Sequence, residues 1–132
     1  MKATVSWQSD MKFVGETDTG KRIEMDGEGS QTTPMEAVLL AVGACSSIDV
    51  VEILKKSRQA ITGCECQLDA QRADDAPRVF TEIHAHYVIE GENLSEKHIQ
   101  RAVQLSAEKY CSVMLMLEGK VKIKTSFSIA AK

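Results

Sequence analysis

The chain has 132 residues, 43% apolar and 27% charged, a balance that suits one folded domain spanning 1–132 and excludes a disordered chain. A net charge of -3 without any long basic run argues against a general nucleic-acid binder, whose affinity comes from neutralising phosphates. The opening MKATVSWQSD lacks the apolar stretch of a secretory signal. The longest unbroken apolar or small run, Ala37 to Cys45, is nine residues, against the roughly 20 that a membrane span needs. The sequence therefore predicts no membrane partner and a cytoplasmic address, where structural disulfides are rare. Four cysteines in such a chain have to be core residues, metal ligands or redox groups.

Thr4, Val5 and Trp7 open a β-like segment, and Phe13 to Thr17 and Arg22 to Met25 read as the next two strands, joined by the turn Thr17-Asp18-Thr19-Gly20. Asp26 to Ser30 is a loop. Thr33-Pro34-Met35-Glu36 then places a hydroxyl at the N-cap, proline first in the helix and glutamate three residues past the cap, a capping box. This helix is predicted to run to about Arg58. Between Ala37 and Ile48 it is apolar or small nearly all round, as a helix covered on most sides would be. A single small sheet cannot supply that cover, so a homodimer is expected.

A hairpin follows. Thr62, Cys64, Cys66, Leu68 and Ala70 alternate with polar residues, and so do Val79, Thr81, Ile83, Ala85, Tyr87 and Ile89, with a turn over Ala73 to Pro77. Ser95 caps a second helix, whose inner side is read as Ile99, Ala102, Val103, Leu105, Ser106 and Tyr110. A pause at Tyr110-Cys111-Ser112 precedes a short apolar helix, Val113 to Glu118, which stops at Gly119. Val121 to Ala130 is a last alternating strand. The predicted order is β-β-β-α-β-β-α-α-β, an α+β fold with mainly antiparallel strands.

Each chemistry-bearing residue has a packing reading beside its functional one. Cys45 lies mid-way along the apolar helix, where a free cysteine packs as a small hydrophobe. A reactive Cys45 needs a basic group from elsewhere, because it is past the first turn and an ionised Asp49, four residues on, would raise its pKa. Cys111, between two helices, is either a core residue at a junction or a thiolate favoured by the helix that follows it. Cys64 and Cys66 with His84 and His86 suggest a Cys2His2 metal site, but the alternation puts the cysteines on the apolar face and the histidines on the other. Those two cysteines are read as core, and neither a metal nor a cofactor is expected. Glu36 is accounted for by the capping box and Arg22 by a strand surface, although either could serve a reactive cysteine. Met114 and Met116 are read as core filler.

Thr33-Pro34-Met35-Glu36, followed eleven residues after the proline by Cys45 in Ala41-Val42-Gly43-Ala44-Cys45, resembles the first motif of the OsmC/Ohr family. Ala107-Glu108-Lys109-Tyr110-Cys111-Ser112-Val113 resembles its second. Met35 stands where the family carries its glutamate, with Glu36 one place later, about 100° further round a helix. Ser112 replaces the family's proline. The resemblance implies an intertwined homodimer with antiparallel sheets wrapped around central helices. It also implies hydroperoxide reduction in oxidative-stress defence, with Cys45 peroxidatic, Cys111 resolving, and Arg22 and Glu36 as activating groups. The implied partners are a second copy of the chain, a small hydroperoxide and a dithiol reductant such as a lipoylated protein. Two other functions are open: a non-catalytic member of the fold that binds a small hydrophobic ligand at the dimer interface, and a metal-binding protein using Cys64, Cys66 and the histidines.

Overall fold

The computed structural model describes residues 1–130. Their contacts divide into two compact units, Met1–Leu40 and Ala41–Lys132.

The first unit is a three-stranded antiparallel sheet, β1 (Ala3–Ser9), β2 (Lys12–Thr17) and β3 (Arg22–Asp26), in the order β1-β2-β3. Gly20 closes the β2–β3 turn at a φ of 85°, a left-handed conformation that glycine adopts without steric cost. The capping box forms as the sequence predicts. The Thr33 N–H donates to Glu36 Oε1 at 2.9 Å and the Glu36 N–H to Thr33 Oγ1 at 3.2 Å. It starts α1 (Pro34–Lys56), which begins in the first unit and ends in the second.

The second unit carries the sheet β4 (Ala60–Arg72), β5 (Phe80–Glu92) and β6 (Lys122–Ala130), in the order β4-β5-β6. β4 and β5 are the predicted antiparallel hairpin, whereas β6 joins β5 in parallel. α2 (Glu96–Leu105) starts at the predicted cap Ser95, whose side chain accepts the His98 N–H. Its Ile99, Ala102 and Val103 join the buried core with Ile83, Ala85, Tyr87 and Ile89 of β5. A π turn, Ser106–Tyr110, and α3 (Ser112–Leu117) lead to β6.

Where the register departs from the plain alternation, faces change. Bulges interrupt the β4–β5 ladder between Ile61 and Gly63 and between Gln71 and Arg72. A bulge leaves an extra residue unpaired and re-aims its neighbours. Thr62, Val79 and Thr81 are accordingly exposed, and Phe80 takes the inner position instead. Tyr110 is also outside rather than inside, because the π turn adds a residue and rotates the chain beyond it. Met116 is exposed, and only Met114 belongs to the core.

α1 is apolar along most of its length, yet part of its apolar surface is open. Ala41, Ala44 and Ile48, at helical spacing, are exposed within this chain, as are Val38 and Leu40. Taken whole, α1 is longer and more apolar than its nine-residue uninterrupted run suggests. By length and composition it reaches what a membrane span needs. A core helix that another protein surface covers has the same properties.

In the second unit α1 approaches β4 closely at Gly43. A Cβ there would stand 2.7 Å from Leu68 Cδ1 and 3.7 Å from Cys66 Sγ. Gly43→Val is expected to lower stability by about 1–3 kcal/mol through overpacking, read as a lower urea midpoint at unchanged slope.

Candidate active site

The second unit brings Cys45 and Cys111 together. Cys45 is half-buried on α1, whereas Cys111 is fully buried at 0% exposure. They are close enough for Cys45 to act on the Cys111 thiol as a neighbour, and both are free thiols. Cys111 is the N-cap of α3: its sulfur accepts the Met114 N–H at 3.4 Å. That contact favours the thiolate, as the local sequence suggests, but burial outweighs it. Desolvation pushes the Cys111 thiol up to about 11; the Met114 N–H pulls the other way, and Cys45 raises it further as hydrogen-bond partner and neighbouring charge. Cys111 is thus a thiol that keeps its proton, not the activated thiolate that the sequence allowed.

Around the pair runs a buried polar web. The Tyr87 hydroxyl donates to Ser46 Oγ at 2.6 Å, and Ser46 Oγ donates to the Val42 carbonyl at 2.8 Å. Ser46 immediately follows Cys45, so its bonds fix the backbone beside the thiol. From the other side, Ser106 Oγ lies 3.0 Å from the Ser46 carbonyl oxygen and 3.1 Å from Asp49 Oδ2. Asp49, whose charge the sequence sets against a reactive Cys45, therefore accepts a hydrogen bond from Ser106. Burial holds the Tyr87 phenol proton well above the usual tyrosine range, despite the Ser46 contact.

Cys64 and Cys66 face inward, paired across the ladder with Ile89 and Tyr87. Burial raises both thiols, against a smaller lowering from the neighbouring Ser47. His84 and His86 are on the other face with Ser126 and Ser128. His84 Nε2 and His86 Nδ1 each lie 2.7 Å from Ser126 Oγ, and His86 Nε2 lies 3.0 Å from Ser128 Oγ. The Cys2His2 candidate is thus divided by the sheet. Among the described residues no group of three or more His, Cys, Asp or Glu side chains is placed to hold a metal.

Arg22 is exposed on β3, opposite Glu16 of β2. Glu36 is exposed and held by Thr33, whose hydrogen bonds lower its pKa. The nine residues from Glu36 to Cys45 amount to about two and a half helical turns, so the two side chains leave opposite faces of α1. Beside the polar web, Asp49, Glu52, Ile53, Lys56, Leu105 and Tyr110 line a cleft of about 500 Å³.

A model of the OsmC-like protein family matches residues 27–126. Protein YhfA of Escherichia coli strain K12 is 47% identical over 133 residues, covering 99% of each chain. The chain belongs to the OsmC-like family. A hypothetical protein from Aquifex aeolicus VF5 superposes with a TM-score of 0.91 at 33% identity, covering 99% of this chain and 96% of that one. An organic hydroperoxide resistance protein from Elizabethkingia anophelis gives a TM-score of 0.75 at 15% identity, covering 97% and 94%. At that identity the likeness concerns the fold alone, which is the α+β OsmC/Ohr fold.

What sequence reading missed in this OsmC-like chain is the web itself. Ser46, Ser106 and Tyr87 stand among apolar neighbours, and buried polar side chains need partners. Ser46 on the apolar helix and Ser106 on the inner side predicted for the second helix were the available signal; that they meet follows only from the fold.

The raised Cys111 value has a consequence for stability. A thiol whose folded pKa exceeds the unfolded value of about 8.5 stabilises the fold fully below that value. The contribution is lost as pH climbs towards about 11. Urea stability is expected to fall across this range, and Cys111→Ser to fall less steeply; equal slopes for the two proteins would contradict the assignment.

Proposed function

We propose that this OsmC-like protein is a thiol-dependent hydroperoxide reductase, with Cys45 peroxidatic and Cys111 resolving. The observation that carries the reading is that a half-buried thiol and a fully buried one are neighbours, near enough that Cys45 shifts Cys111. The organic hydroperoxide resistance protein from Elizabethkingia anophelis, which has the same fold, supports it.

The chemistry follows from the thiols. The Cys45 thiolate attacks one peroxide oxygen; the O–O bond breaks, and the other oxygen leaves as an alcohol or water after taking a proton. Cys45 is then a sulfenic acid. The Cys111 sulfur attacks it, a Cys45–Cys111 disulfide forms and water leaves. A dithiol reductant, such as a lipoylated protein, restores both thiols by exchange and becomes a disulfide itself. Cys111 suits the second step. Held protonated and out of solvent, it is a poor target for peroxide, yet it neighbours the thiol whose sulfur it has to attack. Val42 and Met114, both fully buried, give the surroundings an apolar character that favours organic hydroperoxides over hydrogen peroxide.

A second copy of the chain is the partner that fits the exposed apolar residues of α1, Ala41, Ala44 and Ile48. We assign the protein to a homodimer in the reducing cytoplasm, where an external dithiol keeps the pair cycling. Arg22 is the cation we assign to peroxide activation; Glu36 is committed to its cap. The cleft beside Asp49 and Tyr110 favours the second reading, a non-catalytic protein that binds a small ligand.

Steady-state consumption of cumene hydroperoxide with a dithiol reductant separates the two readings. The native protein is expected to turn over faster with cumene hydroperoxide than with hydrogen peroxide. Cys45→Ser should abolish turnover and Arg22→Gln should slow it, while Glu36→Gln, which preserves the capping box, leaves it near the native rate. No consumption by the native dimer would favour the binding protein. A monomer mass at micromolar concentration in light scattering would remove the dimer.

A further inference from the structure

Ser106 makes contact with the backbone beside both thiols. Its hydroxyl lies 3.0 Å from the carbonyl oxygen of Ser46, the residue after Cys45. Its own carbonyl accepts the Cys111 N–H at 2.7 Å. The second bond spans five residues and belongs to the π turn Ser106–Tyr110. In an α-helix the Cys111 N–H would instead meet the carbonyl of Ala107. The π turn therefore brings Cys111 onto the residue whose side chain already holds the Cys45 segment. π turns inside helices recur at functional sites.

The bridge is stiff at each end. Ser106 and Ser46 are both fully buried at 0% exposure. The Tyr87 hydroxyl and the Val42 carbonyl fix the Ser46 side chain, and the single Ser106 proton is shared between the Ser46 carbonyl and Asp49. In a dry interior such bonds are strong, and a group left without its partner is costly.

We propose that Ser106 is a positioning residue for the Cys45–Cys111 pair. Through one hydroxyl and one carbonyl it holds the two backbones at the separation from which the thiols close to a disulfide. It exchanges no atom in the reaction. Its contribution is to raise the effective concentration of one thiol at the other, as fixed geometry does in any intramolecular step. The proposal rests on reading Cys45 and Cys111 as a redox pair, but not on peroxide being the oxidant.

The test is the equilibrium of the native-length protein in glutathione buffers. Oxidised glutathione takes two electrons and two protons from the thiols, giving two reduced glutathiones and the Cys45–Cys111 disulfide. The disulfide fraction is quantified by mass spectrometry after acid quenching. Ser106→Ala is expected to lower the equilibrium constant for disulfide formation by about three- to tenfold, the range of one hydrogen bond. A serine that merely supported the fold would weaken the reduced and oxidised forms alike and leave this constant unchanged.

Tyr87→Phe frees Ser46 on the opposite side of the same bridge without emptying it, and is expected to lower the constant by about two- to fivefold. It decides the matter should Ser106→Ala not fold. A constant within twofold of the native one in the folded variants overturns the proposal, as does a native protein that forms no Cys45–Cys111 disulfide at any glutathione ratio. A native disulfide in these buffers without peroxide consumption would remove the peroxidase reading and leave the role of Ser106 standing.

Discussion

The placing of a half-buried Cys45 beside a fully buried Cys111 is the constraint on which the rest of the site depends. Neighbouring thiols share a bond only when an oxidant removes two electrons and two protons, and how differently they are solvated sets which of them ionises first. Burial makes the charged form of Cys111 expensive and keeps its proton in place. The asymmetry is one of solvation: Cys45 is half-buried and Cys111 fully buried. That arrangement survives only if the two backbone segments cannot drift apart, because disulfide geometry tolerates little change in Cα separation.

What prevents drift is a polar web inside an apolar helix. α1 has few groups that bond sideways, and Ser46 is the buried one that does, to Tyr87 on β5 and through its carbonyl to Ser106. Gly43 lets the same helix come down onto Leu68 and Cys66 of β4. Small residues give the helix its close approach, and the serine gives it a fixed position. The open side of α1, with Ala41, Ala44 and Ile48, is the counterpart of this economy. A helix that spends one face on a sheet and keeps apolar residues on another needs a second surface, and a second copy of the chain would supply it.

Much of this was legible in the sequence. The capping box at Thr33 and Glu36 gave the start of α1, and the alternation through Cys64, Cys66, Ala85 and Tyr87 gave the hairpin register that parts the cysteines from His84 and His86. Met116 apart, the misplaced residues share one cause, a local irregularity in periodicity. Bulges turned Thr62 and Val79 outward, and the π turn did the same to Tyr110. Nothing in a plain period of two or 3.6 announces an extra residue. The state of Cys111 was hidden for a different reason: the following helix favours a thiolate locally, while the desolvation that wins is a property of the whole packed unit. The meeting of Ser46 with Ser106, residues far apart in sequence, likewise existed only once the chain had folded.

The most direct test of the redox pair is a disulfide map of the reduced protein after one equivalent of cumene hydroperoxide, taken by mass spectrometry within seconds. The account predicts a Cys45–Cys111 bond in the native protein, none in Cys45→Ser, and Cys45 trapped as its sulfenic acid in Cys111→Ser. A native protein whose Cys45 remains a free thiol under these conditions would contradict it.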